Sequence, residues 1–235
     1  MHLQPTSRVS DVVRELPHAP RVLSEFQEDY CCGGDATLGE FCRRERLDFR
    51  ELARALEDTA SEGSVAVRRG TFDPARASAT ELVSRLLDRH HPDARQSMRS
   101  IARLLHVVLG AHRAEFPDLE RVASHFAAIV REFEAHMKQE ESDAFPAIVD
   151  ADRGHVEGRR LDHALRILRL ENELVGEMLD LLRMAAKGYQ PPPGACPTML
   201  ALYRELAAFD HALVEHVALE DEQLVPRAEA LAVGS

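Results

Sequence analysis

Two stretches about eighty residues apart carry the same potential chemistry. His136 is followed four residues on by Glu140 and six further on by Pro146, and His216 is followed at the same offsets by Glu220 and Pro226. On an α-helix, positions i and i+4 lie about 40° apart around the axis and about 6 Å along it, so each imidazole and its carboxylate project to one side. Such a pair can hold one metal ion, and two helices of this kind facing each other can close a dinuclear site inside a bundle. A lone His-x-x-x-Glu is more simply a surface pair. Its duplication in one chain points to a shared site.

The apolar residues that must position these groups agree. Helical spacing back from His136 passes through Phe133, Ile129, Phe126 and Val122, and back from His216 through Leu213, Phe209, Leu206 and Leu202. Both motifs therefore continue a core face. Burying two carboxylates without partners costs several kcal/mol each, so an apolar face ending in His and Glu demands a cation or a dense hydrogen-bond network.

Two further helices complete the set. One starts at Thr80 as N-cap and runs through Leu82, Leu86, Leu87, His91, Met98, Ile101 and Leu105, with Pro92 expected to kink it near His91. His91 is a better metal candidate than His90, because it continues Leu87 by four and reaches Met98 by seven. The other spans about 159–187 with the stripe Leu165, Leu168, Asn172, Val175 and Leu179, which puts Asn172 where the other helices place a ligand. The first motif's helix opens near Pro117; Pro191-Pro192-Pro193-Gly194 breaks the chain before the second motif's helix, which begins near Pro197. Four helices with modest loops give an antiparallel bundle over 80–235. His106, His112, His125, His155, His163 and His211 are bystanders on this reading.

Composition sets the class. The 235 residues are rich in Ala, Leu, Arg and Glu, lack Trp and have almost no β-branched runs, so the expected fold is all-α. A formal charge of −11 argues against a nucleic-acid groove, which needs clustered Lys and Arg. No stretch approaches the roughly 18 apolar residues of a membrane span, and Met1 to Ser10 lack a basic region followed by an apolar core, so a cytoplasmic protein is expected. Four cysteines in such a chain are thiols rather than staples.

Residues 1–62 read as a small helical domain and 63–79 as a linker. Ser10 is expected to cap a first helix ending before Pro17, Pro20 to open a second, Thr37 or Asp35 to cap a third through Leu38, Phe41 and Cys42, and Asp48 to cap a fourth. Cys31 and Cys32, just before the third helix, are expected to have their thiol pKa lowered by its dipole, favouring thiolate for redox or metal chemistry. The alternative is a pair of small buried residues.

Together, Asp29-Tyr30-Cys31-Cys32-Gly33-Gly34 ahead of a bundle carrying His136-x-x-x-Glu140 and His216-x-x-x-Glu220 resembles the di-iron iron-sulfur cluster repair proteins, the Repair of Iron Centres family, whose C-terminal half is hemerythrin-like. The resemblance covers nearly the whole chain. It implies two non-haem iron ions, with His91, His136 and His216 as terminal ligands and Glu140 and Glu220 as carboxylate bridges. The family's fourth histidine falls at Asn172 here. That departure implies either an open position for a small ligand or easier loss of one iron.

The implied function is a stress response that restores iron-sulfur clusters damaged by nitric oxide or oxidants, by supplying iron or by binding nitric oxide. Its partners would be damaged iron-sulfur proteins. A repair factor need not turn over a substrate, so the resemblance leaves the enzyme question open. The rival readings are a hemerythrin-like binder or sensor of oxygen or nitric oxide, and a nitric oxide reductase. The cysteine-bearing domain favours repair, since a carrier has no evident use for Cys31 and Cys32.

Overall fold

The computed structural model describes residues 3–16, 19–24, 36–65, 72–155 and 158–233. Cys31, Cys32 and the glycines after them lie outside these residues. Among the described residues the regular structure is helical, apart from one isolated antiparallel bridge between Arg8 and Thr37. Among the described residues, no helix is long and apolar enough to cross a membrane. The chain packs as two compact units: one comprises Met1–Thr71, Arg99–Glu120 and Tyr189–Leu206, the other Phe72–Met98, Arg121–Gly188 and Ala207–Ser235.

In the first unit, α1 (Val9–Glu15), α2 (Ala19–Ser24), α3 (Leu38–Glu45) and α4 (Phe49–Val65) follow one another. Ser10 does not cap α1. The helix already begins at Val9, after an extended Arg8, because the bridge to Thr37 fixes the backbone one residue earlier. Thr37 does cap α3: its hydroxyl accepts from Glu40 N at 3.2 Å while the Glu40 carboxylate accepts from Thr37 N at 2.8 Å, a reciprocal capping box. Asp48 Oδ1 accepts from Arg50 N and Glu51 N at the start of α4. That helix runs to Val65, so the first residues read as linker are helical. Val12, Leu23, Leu38, Phe41, Leu52 and Leu56 form the core, joined by Ala201.

Gly39 lies where α3 meets the N-terminal strand of chain. Its N–H donates to Pro5 O at 2.8 Å, and a Cβ built there would sit 2.9 Å from that oxygen and 3.2 Å from Pro5 Cβ. The obstacle is backbone and cannot rotate away. Gly39→Ala is expected to destabilise the protein by about 1–3 kcal/mol through overpacking, read as a lower denaturation midpoint; an unchanged midpoint would mean that the Pro5 segment yields freely.

The second unit opens with α5 (Ala79–Arg85). Its N-cap is Ser78, not Thr80: Ser78 Oγ accepts from Glu81 N at 3.2 Å and the Glu81 carboxylate accepts from Ser78 N at 2.8 Å. Thr80 instead donates from N and Oγ1 to Asp152 Oδ2, at 3.0 and 2.6 Å. The chain continues through α6 (His91–His112), α7 (Asp118–Gln139), α8 (Phe145–Asp152), α9 (Gly158–Ala185), α10 (Pro197–Leu219) and α11 (Val225–Val233), with 99–112 of α6, 118–120 of α7 and 197–206 of α10 belonging to the first unit.

Three of the joints are single π-helical turns, at Leu86–His90, Glu140–Ala144 and Glu220–Leu224. Each precedes a residue followed by proline: His91-Pro92, Phe145-Pro146 and Val225-Pro226. Proline lacks an N–H and clashes with the carbonyl four residues back. The wider turn relieves this, because the N–H of His91, Phe145 and Val225 reaches five residues back, to the oxygens of Leu86, Glu140 and Glu220. The chain thus turns through its prolines without ending the helix, and isolated π-turns of this kind gather at functional sites.

The π-turn before His91 also corrects the register. Leu87 is 37% exposed, whereas Leu86 is fully buried. The inward path therefore steps five residues, from Leu86 to His91, and His91 is buried for a different reason than the one its spacing from Leu87 suggested. Leu82, Leu86, Phe145, Ile148, Leu165, Leu168, Leu224 and Val225 make the core beside it.

Candidate metal centre

The π-turns bring the two motifs together. One ligand atom from each of His136, Glu140, His216 and Glu220 lies within 4.8 Å of every other, and all four residues are buried. His91 reaches this group through Glu140: its Nε2 is 3.4 Å from Glu140 Oε2. The other oxygen, Glu140 Oε1, is 3.3 Å from His136 Nε2, and Glu220 Oε1 is 3.1 Å from His216 Nε2. The Glu140 carboxylate thus presents a separate oxygen to each of two imidazoles. A carboxylate so placed could serve a cation beside each imidazole.

A test of fit to a metal comes from polar atoms that nothing satisfies. Among the described residues, Nε2 of His91, His136 and His216, both carboxylate oxygens of Glu140 and of Glu220, Asn172 Oδ1 and His216 Nδ1 are buried without a hydrogen-bond partner. Each such group left bare costs about 1–3 kcal/mol, and natural cores almost never concentrate them. All but His216 Nδ1 belong to the ligand end of a residue on the expected metal-binding face. Nitrogen and carboxylate donors of this mixture suit a first-row transition metal.

The outer atoms are held. His91 Nδ1 pairs with Glu141 Oε1 at 2.7 Å, and Arg95 Nη2 donates to the same oxygen at 2.9 Å. His136 Nδ1 pairs with Glu171 Oε2 at 3.1 Å. A carboxylate on Nδ1 fixes the tautomer that leaves Nε2 free to ligate. Asn172 donates from Nδ2 to Asp221 Oδ1 at 2.9 Å. Stacking with Phe133 and Phe145 orients the His136 and His91 rings, with centroids 5.4 and 5.6 Å apart.

Electrostatics without a cation are strained. Burial pushes the Glu140 carboxyl well above its ordinary range, and the charge of Glu220 pushes it further. Burial opposes charge on Glu220 as well, but the adjacent His216 outweighs it and holds that group down at about 2. Burial lowers His91 and His90 to about 4, so both are neutral near pH 7, as a ligating imidazole must be.

The expected ligands His91, His136, Glu140, His216 and Glu220 and the departing residue Asn172 are all buried, whereas the expected redox thiols Cys31 and Cys32 lie outside the described residues. Residues that spacing did not single out are Glu141, Asp221 and Arg95. The signal for the first two was present, since an acid follows each motif glutamate directly. His90 stands with its ring centroid 5.7 Å from that of His216, closer to the centre than a rejected candidate would suggest.

Comparison with known proteins places this geometry. The hemerythrin HHE cation-binding domain matches residues 82–228, and a domain of unknown function, DUF542, matches residues 5–60. The chain is similar to the iron-sulfur cluster repair protein YtfE of Edwardsiella ictaluri, with 29% identity over 220 residues, covering 94% of this chain and 95% of the relative. It is 30% identical over 214 residues to the proteins of the same name from Yersinia pestis (strain Pestoides F) and Yersinia pseudotuberculosis (serotype O:1b), covering 91% of this chain and 92% of each. A buried cluster of histidines and glutamates inside a hemerythrin HHE domain, behind a DUF542 segment and matched almost end to end by these relatives, means that the chain belongs to the YtfE family of iron-sulfur cluster repair proteins.

Proposed function

We propose that this chain holds two iron ions among His91, His136, Glu140, His216 and Glu220, and that it takes part in repairing iron-sulfur clusters damaged by nitric oxide or oxidants. The observation that supports the reading most is the convergence of bare Nε2 atoms and carboxylate oxygens in one buried group, in a chain whose relatives are named for cluster repair. In this reading the long helices form an antiparallel four-helix bundle over 80–235, and residues 1–62 form a separate domain that brings Cys31 and Cys32 to the damaged protein.

Iron bound there supplies Lewis acidity and a place for a small ligand such as nitric oxide. The chain's own groups set the terms. The His91 and His136 imidazoles are aimed by Glu141 and Glu171, and Glu140 shares its oxygens between two positions. Phe133 and Phe145, both buried, exclude bulk water from the imidazoles. Iron handed to a client protein would be cargo of the repair, drawn from this centre. The protein acts in the cytoplasm on this account.

The test is reconstitution. Iron-loaded protein, mixed anaerobically with an iron-sulfur protein whose cluster has been destroyed by nitric oxide, is expected to restore the client's cluster absorption. The Glu140→Ala variant should not, and Cys31→Ser with Cys32→Ser should slow the recovery. Reversible oxygenation without any recovery of the client would identify a carrier instead. Catalytic formation of nitrous oxide would identify a reductase.

A further inference from the structure

The centre is built from two near-copies, and the copies differ at two places. Each motif glutamate is followed by an acid that receives a hydrogen bond from another helix: Glu141 pairs with His91 Nδ1 at 2.7 Å, and Asp221 accepts from Asn172 Nδ2 at 2.9 Å. Asn172 therefore occupies in one copy the place of His91 in the other. The residue before each of these faces a motif histidine: Glu171 holds His136 Nδ1 at 3.1 Å, while His90 lies against His216 with ring centroids 5.7 Å apart. The repeat sorts the ligands into two sets, His91 with His216 and His136 with Asn172. The rings of His91 and His216 stack at 5.4 Å, in keeping with that sorting.

The sets are chemically unequal. His91 and His216 each bring a bare imidazole Nε2. Asn172 brings only Oδ1, because an amide nitrogen has no free lone pair for a metal and here donates its hydrogen to Asp221; that oxygen is buried and has no hydrogen-bond partner among the described residues. A neutral amide oxygen is a poorer donor than imidazole to a first-row metal, and the asparagine side chain is shorter than the histidine it replaces. The other difference acts in the opposite direction but is smaller: His216 lacks a carboxylate on Nδ1, and outer partners are worth about ten- to a hundredfold in affinity. Loss of a direct ligand outweighs that.

We infer that the two metal positions bind unequally, the position served by His136 and Asn172 being the weaker and keeping a coordination place open to a small exogenous anion. This rests on the dinuclear reading proposed above. The weaker position is then the one from which iron leaves first.

The experiment uses the full-length protein loaded anaerobically with ferrous iron and challenged with a chromogenic ferrous chelator. The parent should release iron in two equal phases with rates separated by about a hundredfold or more. Asn172→His should slow the fast phase towards the slow one, and should raise the azide concentration needed to perturb the absorption spectrum by at least about tenfold. Asn172→Ala, a smaller change to packing, should keep two phases with the fast one no slower than in the parent. Release of two irons in a single phase would overturn this inference while leaving the dinuclear centre intact, as would a fast phase and azide response unaltered in a folded Asn172→His protein. A parent that takes up no iron would overturn both readings.

Discussion

Replacing Glu140 with alanine is expected to empty the centre of both metals rather than one. Its two oxygens lie 3.4 Å from His91 Nε2 and 3.3 Å from His136 Nε2, and those imidazoles belong to different halves of the site. One substitution thus removes a ligand from each half. The cavity left behind also admits water to a group that is fully buried in the parent. Each position should lose more than the roughly hundredfold affinity that outer-partner changes cost, and iron content after desalting should fall from about two per chain to near zero. Glu220→Ala should behave alike. One iron remaining in either variant would show that the carboxylate serves a single metal, and two remaining would put the site elsewhere.

The second large effect has the opposite sign for stability. Without metal, Glu140 and Glu220 are two carboxyl groups buried together, and His216 at 3.1 Å favours charge on Glu220 alone. The Glu140 carboxyl is pushed above its unfolded value by burial and by Glu220. A raised carboxyl pKa means the folded state binds that proton more tightly than the unfolded chain. The penalty is therefore absent at low pH and grows as pH rises above the ordinary value of 4.5.

Glu140→Met fills similar space without charge and leaves the Glu220–His216 pair in place, and exchanges of buried ionic groups for apolar ones range from neutral to stabilising by about 1–4 kcal/mol. The metal-free variant should melt several degrees above the metal-free parent at pH 7. Added iron should then raise the parent alone, by about 2.7 kcal/mol at a hundredfold excess over Kd. A variant less stable than the metal-free parent would mean that the Glu140 carboxylate finds protein partners instead of awaiting a cation.

The chemistry of the centre was legible because it is written twice. His136-x-x-x-Glu140 and His216-x-x-x-Glu220 carry their own helical phase, and the apolar residues behind them mark the buried side. Asn172 could be read from Leu168 and Val175 for the same reason, since α9 runs through it as regular helix without a proline. The π-turns were not legible. A helix that widens by one residue shifts every later side chain by about 100°, so counting by fours reached His91 from Leu87, which is exposed, whereas the inward path reaches it from Leu86, which is buried. The prolines after all three turns were visible, but proline alone reads as a kink or a stop. Capping was mixed for a local reason: Thr37 and Asp48 act as expected, whereas Ser10 and Thr80 were displaced by neighbours that reach the helix start first, the bridge at Arg8 and the capping box of Ser78.

The most direct test of the account is metal counting joined to Mössbauer spectroscopy on protein purified anaerobically after growth with iron-57. The expected result is two irons per chain in distinct environments that couple magnetically, with both signals absent from Glu140→Ala. A protein that carries zinc, a single uncoupled iron, or two irons that survive loss of Glu140 would contradict it.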